Sequence, residues 1–299
     1  MQTISLKKQY QSNPEFRKIV SELNDQIKPN KKYLIANIAD GLGSRMRKIG
    51  NLIAVSESMD ATPIIIWVEN DAIGNLKSLD QVIDIHYPKL IMIKVQSNFK
   101  RKILFCENVQ KTKKSTTVQD LNKPVTFITD NLHMHWLMTS EQRITADNII
   151  KKFEPQSYLK DRIEEYASKN FRGKVLGIHV RSGDLRRYVQ RRFYDIEKYQ
   201  HVIKNLKRYD TIFACCEDRD HLQKLKQNFP NVVHVNKALN DPNSTAIYAR
   251  NEIEKAVIEM FLMCKCHTLL GAQSNFTHLP KCSGVPFINV KNPPTISHL

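Results

Sequence analysis

The stretch Lys174-Val175-Leu176-Gly177-Ile178-His179-Val180-Arg181-Ser182-Gly183-Asp184-Leu185-Arg186-Arg187 decides how the rest of the chain is read. Val175, Leu176, Ile178 and Val180 form the short apolar run of a strand buried on both faces, and the run breaks into polar residues at Arg181. Open α/β sheets bind ligands beyond the carboxyl ends of their strands, so His179, Arg181 and Asp184 would project from a rigid element into a crevice. An arginine in that position is a fork for a phosphate or a carboxylate. The same residues also fit a strand that ends in a solvated turn, with Arg181 and Asp184 paired to each other.

Downstream of this strand the alternation is regular. After strand 174–181 come helix Ile196 to Tyr209, strand Thr211 to Cys216, helix Arg219 to Phe229, strand Val232 to Val235, a helix from Thr245 to Lys265, and strands Thr268 to Gly271 and Val285 to Val290. Strands alternating with helices imply a parallel, doubly wound sheet, hence a Rossmann-like domain over 173–299 with its seam at Gly173 and Lys174.

The first half, 1–172, reads as a second domain. Ser12-Asn13-Pro14-Glu15 signals a helix carrying Phe16, Ile19, Val20 and Leu23. Tyr33 to Ala39 is a strand, and Asp40-Gly41-Leu42-Gly43-Ser44-Arg45 is a tight glycine turn into a helix through Met46, Ile49, Leu52 and Met59. Strand Thr62 to Val68, a short helix Leu76 to Ile85, strands Leu90 to Val95, Lys102 to Cys106 and Val125 to Ile128, and helices Ser140 to Phe153 and Tyr158 to Phe171 follow. The glycine turn matches neither GxGxxG nor the Walker pattern. Bare N–H groups at a strand-turn-helix junction suit an anion, and they suit a plain connection equally well.

A formal net charge of +16 implies an anionic partner: nucleic acid, an anionic membrane surface or a phosphorylated small molecule. No stretch is apolar for long enough to cross a bilayer, and Met1 to Gln11 lacks the apolar core of a signal peptide, so a cytoplasmic protein is expected. The six cysteines contain no CxxC pair and read as small core residues in a reducing compartment. Cys264, Cys266 and His267 lack the usual spacing of structural zinc. Lys111 to Thr117 reads as a basic surface loop. Arg186, Arg187, Arg191 and Arg192, interleaved with Tyr188, Phe193 and Tyr194, could grip nucleic acid, cover a donor or meet an acidic acceptor, but no RNA- or DNA-binding signature accompanies them.

Three further groups carry chemistry. Glu259 sits at the edge of the apolar stripe Ile253, Val257, Met260, Phe261 and Cys264, where a carboxylate needs a donor; guanine would supply one through its ring N–H and exocyclic amine, and solvent would serve as well. Ser274 and Asn275, after a strand and opening a helical stretch, suit a diphosphate or simple capping. Asp218-Arg219-Asp220 has the form of a metal-binding Asp-x-Asp, but acidic residues there are what a helix's first turn favours.

The run His179 to Asp184 resembles the His-x-Arg-(Arg)-Gly-Asp signature of the fucosyltransferase superfamily, which takes in α1,2-, α1,6- and protein-O-fucosyltransferases and bacterial nodulation-type enzymes. Two further stretches fit in the expected order. Gly41-Leu42-Gly43-Ser44-Arg45 is similar to the family's Gly-Leu-Gly opening, and Glu259 to Cys266 followed by Ser274-Asn275-Phe276 is similar to its Asp-Leu-x-Leu-Met-Ser-x-Cys segment and Ser-x-Phe turn. The resemblance implies an inverting, metal-independent and cofactor-free GT-B transferase of two facing Rossmann-like domains, moving fucose from GDP-fucose to a sugar hydroxyl of a glycan. It assigns Arg181 to the departing diphosphate with Asp184 orienting it, His179 and Glu259 to base and ribose, Ser274 and Asn275 to the phosphates, and Gly41, Gly43, Ser44 and Arg45 to the cleft near the acceptor. The sequence departs from the family at three points: Glu259 stands for Asp, Ser182 for a second arginine, and Val189 where one branch has a carboxylate. Asp40, Asp184 and Glu217 remain as candidate general bases. A transferase for another GDP-deoxyhexose or GDP-mannose, and a non-catalytic protein binding RNA or another polyanion, stay open as alternatives.

Overall fold

The computed structural model describes residues 5–6, 8, 11–38, 41–69, 81–96, 106–107, 110–111, 124–128, 138–180, 195–206, 209–216, 218–235 and 252–293. In chain order these form β1 (Ser5–Leu6), α1 (Pro14–Gln26), β2 (Lys32–Ile38), α2 (Leu42–Ser58), β3 (Ala61–Glu69), β4 (Ile83–Asp84), β5 (Ile91–Gln96), β6 (Cys106–Glu107), β7 (Gln110–Lys111), β8 (Val125–Ile128), α3 (Ser140–Ile150) and β9 (Glu154–Pro155). Next come α4 (Ser157–Asn170), β10 (Val175–Val180), α5 (Ile196–Asn205), β11 (Thr211–Cys216), α6 (Arg219–Asn228), β12 (Val232–Val233), α7 (Glu252–Cys264), β13 (Thr268–Gly271), α8 (His278–Cys282) and β14 (Phe287–Asn289). The chain divides into two compact units, Met1–Glu154 and Pro155–Leu299. Among the described residues no helix is long and apolar enough to cross a membrane.

In the first unit five parallel strands stand in the order β5-β3-β2-β8-β7. Alternation along β2 sends Tyr33 and Ile35 to the face covered by α1, where Phe16, Ile19, Val20 and Leu23 pack at helical spacing against Ile64, Ile66 and Val125. α2 packs on β2 and β3, and α3 packs on α2. A capping box starts α3: Thr139 accepts from the Gln142 N–H while the Gln142 side chain accepts from the Thr139 N–H. The Gln142 amide then donates to Ser58 at 2.6 Å, tying the start of α3 to the end of α2.

Local pattern misplaces three features of this unit. α2 begins at Leu42, so Gly43, Ser44 and Arg45 lie inside its first turn and not in a preceding loop. Ile83–Asp84 is extended where a helix is expected from 76 to 85. Lys111, read as loop, belongs to β7, which precedes β8 in sequence yet pairs on its outer side. Residues 70–80 and 112–123 lie outside the described residues.

The second unit again has five parallel strands, in the order β12-β11-β10-β13-β14. Every residue of β10 is buried, as its apolar run requires. Leu176, Ile178 and Val180 face α5, packing on Ile196, Tyr199 and Val202. Cys215 of β11 faces the other side, its Sγ 4.0 Å from the Glu259 carbonyl of α7. The seam anticipated at Gly173 falls within this unit, because α4 is fastened to α7. Arg162 meets Glu254 at 3.0 Å and Tyr158 donates to the same carboxylate at 3.4 Å.

Candidate active site

The strand order of the second unit fixes where a ligand can bind. From the central β10 the chain steps outward through β11 to β12, then returns across the sheet to β13 on the other side of β10. Open sheets of this order bind ligands at the carboxyl ends of the strands where the order reverses, here β10 and β13. His179 is the last residue but one of β10, in register with Cys215 and Gly271. Residues in register share a face, so His179 projects from the face that carries Cys215 and α7.

His179 is held through both its ring and its backbone. It stacks on Phe276 with centroids 5.1 Å apart and ring planes 24° from parallel. Its own carbonyl accepts from the Tyr199 hydroxyl of α5 at 3.1 Å. Gly271 makes the close strand approach possible, since a Cβ there would lie 3.3 Å from the His179 carbonyl oxygen and 3.5 Å from its Cβ.

The turn after β13 supplies the other wall. Ser274 Oγ accepts from the Phe276 N–H at 3.2 Å, and the Thr277 hydroxyl donates back to the Ser274 carbonyl at 2.9 Å. The short helix α8 starts at His278, so Ser274 and Asn275 form a hydroxyl-braced turn ahead of it and do not open the helix. The brace presents Phe276 to His179.

α7 contributes two buried carboxylates with different surroundings. Glu254 is locked to Arg162 and Tyr158 of α4. Glu259, five residues on, lies toward the sheet, with Lys255 of the preceding turn 3.5 Å from its Oε1. Burial first, and the Glu259 charge next, push the Cys215 thiol well above its ordinary range. Cys216 is pushed up to about 11, again chiefly by burial. His234, just past β12, is pulled down from 6.5 to about 4 by burial and then by Lys226 and Lys255. The ammonium of Lys255 is therefore felt along the carboxyl ends of β11 and β12.

Several of the remaining polar residues have local surroundings of their own. Asp218 caps α6, accepting from the Asp220 and His221 N–H groups at 3.0 and 3.2 Å, which gives half of the Asp-x-Asp a structural task. His267 Nδ1 accepts from the Val175 N–H at 3.1 Å, anchoring the end of α7 to the start of β10. Cys264 is raised to about 12, mainly by burial.

In the first unit Gly41 precedes α2 with φ −63° and ψ 161°, a conformation open to any residue. Arg45 has no exposed surface. Its guanidinium lies 4.0 Å above the Trp67 ring and donates to the Ile38 carbonyl at 3.2 Å, closing the carboxyl end of β2 onto the helix. Gly43 is buried and Ser44 half-buried beside it. Arg181, Asp184, Asp40 and Glu217 lie outside the described residues. The structure stacks His179 on Phe276, in the turn that holds Ser274 and Asn275, and places Glu259, with Lys255 beside it, on the same face of the sheet; Phe276 and Lys255 are the additions. Only Phe276 had a signal in sequence, as an aromatic two residues beyond a turn serine.

No protein-family model matches the sequence, and no curated protein matches it. Solved structures do. The chain shares an α/β fold with solved fucosyltransferases. It is similar to the α1,6-fucosyltransferase NodZ, a protein also solved from Bradyrhizobium, whose crystal soaked with GDP-fucose aligns at 15% identity over 89% of this chain and 98% of that one, with a TM-score of 0.57. It is similar to Arabidopsis thaliana FUT1 in complex with GDP, at 12% identity over 97% of this chain and 77% of that one, TM-score 0.56. POFUT1 in complex with GDP-fucose aligns at 9% identity over 88% and 98%, TM-score 0.53.

Proposed function

We propose that the chain is a fucosyltransferase of GT-B type that moves fucose from GDP-fucose to a sugar hydroxyl of a glycan with inversion and without a metal ion, acting in the cytoplasm. What carries the reading is the switch point of the second sheet: His179 stacked on Phe276, with Glu259 on the same face, directly ahead of Arg181.

In this reaction the bond from fucose C1 to the β-phosphate oxygen breaks and its electron pair leaves with GDP. The acceptor oxygen bonds to C1 from the opposite face and passes its proton to a base, for which Asp40, Asp184 and Glu217 are candidates. Negative charge gathers on the β-phosphate as the bond opens, and the Arg181 guanidinium neutralises it, with Asp184 fixing the fork. His179 and Glu259 hold ribose and base, and the Ser274-Asn275 turn meets the phosphates. Gly41, Gly43, Ser44 and Arg45 shape the acceptor side.

The reading is tested by thermal stabilisation with GDP against UDP and ADP in chelator, then by GDP release from GDP-fucose and from GDP-mannose. Stabilisation by GDP alone and turnover of GDP-fucose are expected. Arg181→Ala should lower turnover by roughly 100-fold or more at unchanged melting temperature. A rate like that of the unmodified chain would contradict the mechanism.

A further inference from the structure

The Lys255–Glu259 pair is unlike two other one-turn pairs among the described residues, Lys18–Glu22 and Lys169–Glu165, in how little of it meets water. Lys169–Glu165 is solvated, its side chains 62% and 51% exposed, and it does what such pairs ordinarily do on a helix surface. Lys255 and Glu259 are 16% and 10% exposed. Removing both charges from water costs more than their attraction usually returns, so stability gives little reason to bury them. The fastening of α4 to α7 falls to Glu254. They lie on the face of His179, at the carboxyl ends of β10 and β11, where the sheet order puts a ligand.

The two groups side by side present two acceptor oxygens and then a cationic donor. Guanine's outer edge presents the complement: two donors, the N1–H and the N2 amine, followed by the O6 acceptor. A carboxylate alone reads only the donors. We propose that Lys255 and Glu259 read the donor's base together, the Glu259 carboxylate accepting from N1–H and N2 while the Lys255 ammonium donates to O6, which makes Lys255 a specificity-determining residue for 6-oxopurine nucleotides. The inference rests on the reading of the site as a guanine-nucleotide site. It also accounts for the longer Glu in place of Asp, since the extra methylene lets the carboxylate reach the base while still touching the lysine.

The test is titration calorimetry of the intact protein with GDP and with 6-thio-GDP, which keeps both donors but replaces O6 with a poor acceptor. The unmodified chain should bind GDP roughly 10-fold or more tighter than the thio analogue. Lys255→Met should lower GDP affinity by about that factor and leave 6-thio-GDP affinity unchanged, so that the ratio falls to about 1. Lys255→Arg keeps a charged donor and should keep the preference, which leaves the test informative if the Met variant does not fold. Equal binding of the two nucleotides by the unmodified chain overturns the proposal while leaving the guanine site standing. Equal loss for both in Lys255→Met assigns the lysine to supporting Glu259 only, and overturns it too. Failure of the unmodified chain to bind GDP overturns both readings.

Discussion

The two units build the same sheet and use its switch point differently. Each places its first long strand at the centre, steps outward over two strands, and returns to the other side. In the first unit the central strand runs into α2, and the cation at that junction, Arg45, is sunk between Trp67 and the Ile38 carbonyl. In the second the central strand ends in His179 against Phe276, with Glu259 and Lys255 on the same face. Topology gives the place of a crevice in both. What a charged side chain does there depends on whether the fold already supplies its partners.

The largest effect should come from Arg45. Arg45→Ala removes a fully buried guanidinium, its ring contact and its hydrogen bond, and leaves a cavity, so we expect a loss of about 3 kcal/mol or more in denaturant unfolding. Arg45→Lys should not restore it, because an ammonium lacks the flat face that lies on Trp67. A loss below about 1 kcal/mol would break the contrast between the units.

The two carboxylates of α7 sharpen it within one helix. Glu254→Gln strips the charge facing Arg162, and should cost about 2 kcal/mol of stability with GDP affinity unchanged. Glu259→Gln strands Lys255 at similar burial and should cost stability too, but unlike Glu254→Gln it should also weaken GDP binding by roughly 10- to 100-fold. Unfolding curves and nucleotide titrations on both variants decide the matter. If the two carboxylates swapped these signatures, the ligand edge would have been assigned to the wrong part of the helix.

Sequence carried most of this frame because strands buried on both faces announce themselves. Tyr33 to Ile38, Ile64 to Trp67, Val175 to Val180, Thr211 to Cys216 and Thr268 to Gly271 are apolar runs with few alternatives. It failed where a partner far along the chain decides. Gln110–Lys111 has no strand-like sequence and is extended because β8 offers it an edge. α4 joins the second unit through Arg162 and Glu254, ninety-two positions apart. Among site residues, His179 and Glu259 were legible because a polar group at the edge of an apolar run has few reasons to be there. Lys255 was not, since lysine one turn before glutamate is commonplace on solvated helices. The motif around Arg45 was legible, but the tryptophan beneath its guanidinium was not.

A smaller effect separates the units by pH. His234 takes a proton less readily in the folded state, near 4, than in the unfolded chain, near 6.5. Between those values the unfolded chain binds more protons, so stability is complete above pH 6.5 and is lost as pH falls toward 4. His234 is partly solvated, and screening leaves about 1 kcal/mol across that window. His234→Gln should flatten unfolding free energy over it. An unaltered slope would show that the histidine titrates as it does in water.

The smallest effect concerns glycine, and it bears on the first unit's claim to a ligand. Gly271→Ala should cost about 1 kcal/mol, because its Cβ would press a backbone carbonyl that cannot swing away. Gly41→Ala should cost nothing and gain up to about 0.5 kcal/mol, because φ is −63°, no heavy atom of the described residues lies within 4 Å of the added carbon, and alanine narrows the unfolded ensemble. The described residues therefore give no steric reason for Gly41. If Gly41→Ala melts like the unmodified protein yet transfers fucose slowly, the missing side chain is explained by a substrate that approaches the backbone at the start of α2. Unchanged turnover would remove Gly41 from the acceptor side and leave ligand chemistry at one switch point only.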